Sequence, residues 1–333
     1  MKNRKLVLAK RPDPAVNREL FRLEEAEVAP LKQGQFLVRN LFLSVDPAMR
    51  GWVADMPNYI PPVALGAVMR SFAVGEVIES RHPDYAAGET LYGRFGWQEL
   101  AVSDGSDVER KVDPQVAPLS ANLHVLGMTG ATAWFGLTEI GNPQAGETVV
   151  VSTAAGAVGS MVGQIAKARG CRTVGITGSD DKAKRCRKEF GYDAVINYKT
   201  CQGEDLSAEL ATACPKGVDV YFDNVSGPIS DAVMSFFNVG ARMTVCGVIG
   251  ISPAHLSGPR VARTLLVKRA RMQGFLIFDH MHRLSEAVEG LLPLFKAGKL
   301  NYSEEIYEGL EQAPVGLENL LAGSNQGKVL VKL

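Results

Sequence analysis

The amino-acid sequence predicts an α/β chain in two parts: a doubly wound parallel sheet over residues 121–300 and a β-rich, barrel-like segment over 1–120. Three observations carry that expectation. Residues 147–177 make one strand–turn–helix–strand unit. Beyond it, short β-branched runs alternate with segments of helical period. Before residue 120 no helical period lasts more than two turns, and Gly and Pro break the chain at 51–66 and 81–96.

In the first part, Val38–Val45 and Val74–Ile78 are the clearest strand-like runs. In the second, Val149–Val151 opens a strand and Met161, Val162, Ile165 and Ala166 mark a helix ending at Gly170. A further strand runs over Thr173–Thr177. After it come a basic helix over Asp180–Phe190, a strand over Ala194–Ile196, a helix over Glu204–Ala213 and a strand over Val218–Phe222. A helix over Ile229–Phe237, strands over Arg242–Val248 and Met272–Phe278, and a helix over Met281–Lys296 complete the alternation. The last stretch ends in a strand, Lys328–Lys332, able to rejoin the first part.

The turn between the first two strands, Ser152-Thr153-Ala154-Ala155-Gly156-Ala157-Val158-Gly159, carries the chemistry. It holds two of the three glycines of G-x-G-x-x-G, with Ala154 at the first position. Gly156 allows close approach of a ligand and Gly159 allows the helix to pack on the sheet. The helix N-terminus above them favours an anion, and a pyrophosphate is the natural occupant. The second strand ends Ile176-Thr177-Gly178-Ser179 with no acid at its tip, where an NAD site places Asp or Glu for the ribose 2′-hydroxyl. Asp180 and Asp181 read as the first turn of the next helix. Lys182, with Arg185 one turn on, suits a 2′-phosphate, so NADP is favoured over NAD.

Composition narrows the function classes. The 333 residues suffice for two domains, and 46% hydrophobic content supports a substantial core. Thirty-six basic residues balance thirty-six acidic ones, which gives no electrostatic case for nucleic acid or an anionic membrane. The basic residues of 181–188 read as a solvated helix face. No run of 18 apolar residues is present, and MKNRKLVLAKRPD holds an apolar stretch of only four, so neither a membrane span nor a signal peptide is expected. Cys171, Cys186, Cys201, Cys214 and Cys246 lack CxxC spacing and read as reduced thiols of a cytoplasmic protein.

No metal site is expected. A zinc centre needs three protein ligands, but no cysteine precedes Cys171 and His82 and His124 stand alone. His280 and His282, two apart at a helix start, face away from each other.

Several stretches, in order along the whole chain, resemble one family: Ser44-Val45-Asp46-Pro47-Ala48-Met49-Arg50-Gly51, Tyr59-Ile60-Pro61-Pro62, Leu126 to Ala133, Ala154 to Gly159 and Gly178 to Lys182. Asn197-Tyr198-Lys199, Phe222 to Gly227, Arg271 to Phe275 and Ser324 to Lys328 continue the series. Together they are similar to the zinc-independent medium-chain dehydrogenase/reductases, in the branch of prostaglandin reductases, plant alkenal double-bond reductases and bacterial curcumin-reductase-type enzymes. The resemblance implies a GroES-like β-barrel domain built from 1–120 plus 301–333 and a Rossmann domain over 121–300. It also implies NADPH between them and a homodimer joined around Phe275–Phe278.

Carried over by position, Ala155, Gly156, Ala157 and Val158 meet the pyrophosphate. Lys182 and Tyr198 meet the 2′-phosphate, lined by Gly178 and Ser179. Asn224 and the loop Cys246, Gly247, Val248, Ile249 to Ser252 lie along the ribose and nicotinamide. Phe275, Leu276, Ile277 and Asn325 close over the nicotinamide, and Met128 and Thr132 touch its side. Tyr59 is the substrate-facing aromatic. Arg50 is a second substrate candidate, with an ion pair to Asp46 as its structural alternative. Two departures stand out. Some relatives carry a Tyr where this chain has Val267, so either support of the substrate carbonyl passes to Tyr59, a cofactor hydroxyl or water, or the substrate differs. The family's Asp before Asn325 is Ser324 here.

The implied reaction is reduction of an electron-poor C=C bond. Hydride reaches the β-carbon, negative charge gathers on the carbonyl oxygen as an enolate, and the α-carbon is then protonated. A quinone reductase using the same cofactor, or a non-catalytic NADPH-binding protein, are the alternatives. The sequence leaves the physiological substrate open.

Overall fold

The computed structural model describes residues 1–13, 15–56, 58–201, 204–250 and 258–333, without the side chains of 204 and 205. It divides into two compact units, Met1–His124 with Ser303–Leu333, and Val125–Tyr302.

The first unit begins with strands β1 (Lys2–Leu8), β2 (Phe21–Glu27) and β3 (Phe36–Val45), one helical turn α1 (Met49–Val53), then β4 (Ala73–Ser80), β5 (Thr90–Gly93), β6 (Leu100–Ser103) and β7 (Val108–Val112). β1 and β2 form an antiparallel ribbon. β3 is buried along most of its length because it has neighbours on both edges: β4 on one side, β6 at its start on the other. Phe36, Leu43, Trp52, Tyr92, Phe95 and Trp97 fill the core.

The second unit contains α2 (Met128–Phe135), continued by a π-helical turn over Gly136–Gly141, then β8 (Thr148–Ser152), α3 (Ala157–Ala168), β9 (Arg172–Thr177), α4 (Asp180–Lys188) and β10 (Ala194–Asn197). It continues with α5 (Glu204–Ala213), β11 (Val218–Asp223), α6 (Pro228–Met234), β12 (Phe237–Val245), α7 (Ala262–Lys268), β13 (Arg271–Gly274) and α8 (Leu284–Lys296). The strands pair in parallel in the order β10-β9-β8-β11-β12-β13. All five residues of β8 are buried, as a central parallel strand covered on both faces requires. The order reverses between β8 and β11, and a crevice opens above the carboxyl ends of strands at such a point.

The chain then returns to the first unit through β14 (Glu304–Glu308), α9 (Ala313–Ala322) and β15 (Lys328–Lys332). β15 runs antiparallel to the end of β3 and parallel to β14.

Four sequence expectations are corrected. The strand expected from Arg242 starts at Phe237, because positive φ at Gly240 is absorbed inside the strand beside a register shift at Val218/Val220. The preceding helix therefore ends at Met234. The strand expected over Met272–Phe278 stops at Gly274. A 3₁₀ segment, Ile277–Arg283, follows, and α8 begins only at Leu284. Phe275 leaves the sheet because its ring fills the space beside Gly136, against Phe222.

Candidate cofactor site and substrate loop

The carboxyl ends of β8 and β11 flank the switch point, and both loops there hold strained backbone. Among the described residues four non-glycines have positive φ, and two lie here: Thr153 (52°) after β8 and Ser226 (61°) after β11. A β-branched residue in that region is costly and persists only where its surroundings enforce it. Thr153 is enforced by the turn it makes: its carbonyl accepts from Gly156 N at 2.8 Å, and Ala154 N donates to Ile176 O at 3.0 Å. A Cβ at Gly159 would fall on the Thr153 carbonyl oxygen, so only glycine lets α3 start this close to the turn. No side chain caps α3. Its dipole is thus directed at whatever lies above Ala155–Val158, which favours an anion.

Asp223, fully buried at the end of β11, organises the second loop. Its Oδ1 accepts from Ser152 Oγ (3.1 Å), Tyr221 Oη (2.9 Å) and the backbone amides of Val225 and Ser226 (both 3.0 Å). Its Oδ2 accepts from Ser230 Oγ (2.7 Å) and Ser226 Oγ (3.3 Å). A buried carboxylate needs such a set of donors when no cation accompanies it. Asn224 completes the junction: its amide nitrogen donates to Ser152 O at 2.7 Å and its backbone N–H to Ser152 Oγ at 2.8 Å. The two strands are clasped at the switch point.

The loop after β12 packs beside it. Cys246 N and Gly247 N donate to Asp223 O, and Gly250 N donates to Val225 O at 2.9 Å. Val248 and Ile249 are exposed in this loop. Ser252 lies outside the described residues. Burial, reinforced by the charge of Asp223, pushes the Cys246 thiol up to about 12, which favours the protonated thiol at neutral pH.

At the tip of β9, Ser179 caps α4, its hydroxyl accepting from Lys182 N at 3.3 Å. Asp180 and Asp181 occupy the first turn, and Asn197 donates to Asp180 at 2.8 Å. A Cβ at Gly178 would lie 3.2 Å from the Tyr198 ring and 3.4 Å from Lys199 Cε. Gly178, Ser179, Lys182 and Tyr198 therefore come together, and Lys199 joins them. Lys199 was missed in the sequence reading. It directly follows Tyr198 in the quoted Asn-Tyr-Lys stretch, and that adjacency was the available signal. Arg185 turns away: its guanidinium forks onto Glu189 and lies over Phe190. Arg187 is spent on Val195 O.

Met128 opens α2, and Thr132, buried, returns its hydroxyl to Met128 O at 2.7 Å. Phe275, Leu276 and Ile277 follow β13 and are half-buried. Val267 is exposed on α7 and has no group able to bond a carbonyl.

In the first unit, Tyr59 is 45% exposed, high for a tyrosine held by its hydroxyl. Trp52 Nε1 lies 3.2 Å from Tyr59 Oη, and since an indole can only donate, the phenol oxygen is the acceptor. Burial raises the Tyr59 pKa; Trp52 and Arg70 oppose that rise and the charge of Asp46 adds to it. The loop's ends are pinned by Arg11, which donates to Val53 O (3.0 Å) and Val63 O (2.7 Å), and by Arg70, which donates to Pro61 O (3.2 Å).

The expected Asp46–Arg50 pair does not form. Arg50 is exposed on α1, whereas Asp46 is buried with Lys328 of β15, whose Nζ lies 2.8 Å from Oδ1 and 2.6 Å from Val45 O. β15 brings a cation to Asp46 from inside the sheet, where a residue on the same helical turn cannot reach. Close by along the chain, the Asn325 amide bonds Gly327 O at 2.8 Å.

Among the described residues no three of His, Cys, Asp and Glu are placed to hold a metal ion. His82 packs on Phe36 and Tyr85, and His280 stacks on Phe135. No described helix is long and apolar enough to cross a membrane.

Residues 4–111 match the family described as N-terminal domain of oxidoreductase, and 157–296 match that described as zinc-binding dehydrogenase. The chain is 43% identical to the NADPH-dependent curcumin reductase of Escherichia coli (strain K12), over 100% of this chain and 97% of the relative. It is 39% identical to the 2-alkenal reductase (NADP(+)-dependent) of Nicotiana tabacum, over 91% and 88%. The crystal structure of CurA in complex with NADPH from Vibrio vulnificus superposes with a TM-score of 0.90 at 40% identity, covering 99% of this chain and 98% of that one. The chain belongs to the medium-chain dehydrogenase/reductases, in their zinc-independent branch of curcumin, alkenal and prostaglandin reductases.

Proposed function

We propose that this protein is an NADPH-dependent reductase of the C=C bond of α,β-unsaturated aldehydes and ketones, acting as a cytoplasmic homodimer. The observation that carries this is the carboxyl end of the parallel sheet. The turn after β8 at the switch point suits a pyrophosphate, and β9 itself ends on Thr177-Gly178-Ser179 with no acid before the α4 cap, beside Lys182 and Lys199. The relatives named for NADPH-dependent curcumin reduction and 2-alkenal reduction support the same reading.

NADPH, when bound, supplies the hydride that the β-carbon accepts. Ala155, Gly156, Ala157 and Val158 with the α3 dipole hold the pyrophosphate. Lys182, Lys199, Tyr198, Ser179 and Gly178 hold the 2′-phosphate, which is the preference for NADPH over NADH. Asn224 and Cys246–Ile249 line the ribose and nicotinamide, together with Met128, Thr132, Phe275–Ile277 and Asn325. The clasp between Asp223, Ser152 and Asn224 fixes the nicotinamide loop before substrate arrives. Tyr59 donates its phenol hydrogen to the carbonyl oxygen as that oxygen becomes an enolate. Val267 offers no such donor, and Tyr59 is the group proposed here ahead of a cofactor hydroxyl or water. Arg50, exposed on α1, guides a polar substrate end.

A second copy is supported by β13, the last strand of the sheet among the described residues, and by α7 packed on β12, which carries Leu266 at 77% and Val267 at 51% exposure.

The test is oxidation of NADPH and, separately, NADH by the purified protein with a 2-alkenal, an enone, a quinone and a saturated aldehyde. Turnover of the alkenal or enone with NADPH alone is expected. Activity confined to the quinone moves the protein to quinone reduction. Silence across the panel with NADPH demonstrably bound overturns the catalytic reading.

A further inference from the structure

We propose that Arg70 and Trp52 act as positioning residues for Tyr59, aiming its phenol hydrogen outward and strengthening it as the donor to the enolate. This rests on the assignment of Tyr59 above.

The geometry begins with the indole. Trp52 is buried in α1 and donates Nε1–H to the Tyr59 oxygen at 3.2 Å. That bond occupies a lone pair of the phenol oxygen and directs the O–H away from the tryptophan. Donation into a phenol oxygen also draws charge from it, which makes its hydrogen a better donor.

Arg70 holds the indole in place. Its Cζ sits 5.6 Å over the Trp52 ring, and one Nη donates to Pro61 O at 3.2 Å, two residues beyond Tyr59. The arginine therefore touches both the donor to the phenol and the loop that carries the phenol. Its charge is not neutralised. No carboxylate of the described residues comes within 4.0 Å of Arg70, and its Nη1 is buried without a hydrogen-bond partner. Asp46, the acid that acts on Tyr59, is itself paired with Lys328. Arg94, which faces Arg70, is paired with Glu109.

An unpaired, half-buried cation beside a phenol favours negative charge on that oxygen and on anything it bonds. As the enolate forms at the other end of the Tyr59 hydrogen bond, Arg70 stabilises charge that the ground-state carbonyl lacks. Burial and Asp46 raise the Tyr59 pKa, while Arg70 and Trp52 lower it, so the cation offsets part of that rise.

The experiment combines an ionisation readout with kinetics. Tyr59 ionisation is followed as the phenolate absorbance of the full-length protein that disappears in Tyr59→Phe. It is compared in wild type, Arg70→Met, Arg70→Lys and Trp52→Phe. Arg70→Met is expected to move the Tyr59 ionisation upward and to lower kcat roughly tenfold on an enone, less than Tyr59→Phe itself, with KM changing less than kcat. Arg70→Lys is expected to restore much of both. An unmoved Tyr59 ionisation in Arg70→Met overturns the proposal, as does a loss shared equally by kcat and KM without rescue by lysine. If the ionisation moves but no alkene is turned over by wild type, the positioning role stands and the reductase assignment falls.

Discussion

Lys328 Nζ lies 2.8 Å from Asp46 Oδ1, two buried charges brought together from 282 residues apart. Ser44 donates to the other carboxylate oxygen at 2.5 Å and Val45 O accepts from the ammonium at 2.6 Å, so each charge has a second partner. Removing one member strands the other in a dry site. Lys328→Met is expected to cost about 3–5 kcal/mol in urea unfolding, and adding Asp46→Asn to recover a substantial part of it. A loss under about 1 kcal/mol in the single variant would show the pair to be dispensable.

Cofactor preference is expected to sit in two lysines. Lys182→Ala and Lys199→Ala should each weaken NADPH by roughly tenfold to a hundredfold, since a hydrogen bond to a charged group contributes about 1.5–3 kcal/mol. NADH affinity should stay nearly constant. Equal losses for both nucleotides by titration would remove these residues from the 2′-phosphate pocket.

Helix α3 cannot start where it does with a side chain at residue 159. Gly159→Ala is expected to cost about 1–3 kcal/mol, as overpacking does, and to weaken NADPH as the helix shifts off the turn. Gly274 has only Val245 O as near as 4.0 Å, so Gly274→Ala serves as the control and should fall within about 0.5 kcal/mol of wild type. Thermal melts with and without nucleotide separate the two effects.

Tyr59→Phe keeps the ring and removes the donor. Turnover should fall by about a hundredfold to a thousandfold, the loss typical of one donor to a developing oxyanion, with NADPH affinity unchanged. Because the Tyr59 pKa is raised, chiefly by burial, its proton is held above the ordinary phenol value of about 10. Activity should therefore persist through pH 9 without an alkaline fall due to this residue. A fall near neutrality that vanishes in Tyr59→Phe would contradict this.

The parallel sheet was legible because β-branched runs and helical periods alternate over 147–223, and local pattern is what a parallel unit writes into its sequence. The phosphate turn was legible for the same reason: its glycines and its helix lie within a dozen residues. What the sequence hid depends on distance. Asp46 has Arg50 four residues away as an obvious partner, and nothing local points to Lys328. The end of β13 was misjudged because Phe275–Phe278 has strand-like composition, while its actual conformation is set by Gly136 and Phe222 more than fifty residues earlier in the chain. Trp52 and Arg70 carry no motif, and their relation to Tyr59 exists only once the loop between Val53 and Val63 closes.

The Asp46–Lys328 pair also sets an order of events during synthesis. Residues Val125–Tyr302 are contiguous, and the second unit can fold as soon as they have left the ribosome. The first unit cannot finish, because β3 waits for β15 and Asp46 waits for its cation. At about 5–20 residues per second, tens of seconds separate the emergence of the two partners. Through that interval Asp46 remains hydrated rather than buried. The unit that carries Tyr59 therefore reaches its final shape only after the C-terminal strand has emerged.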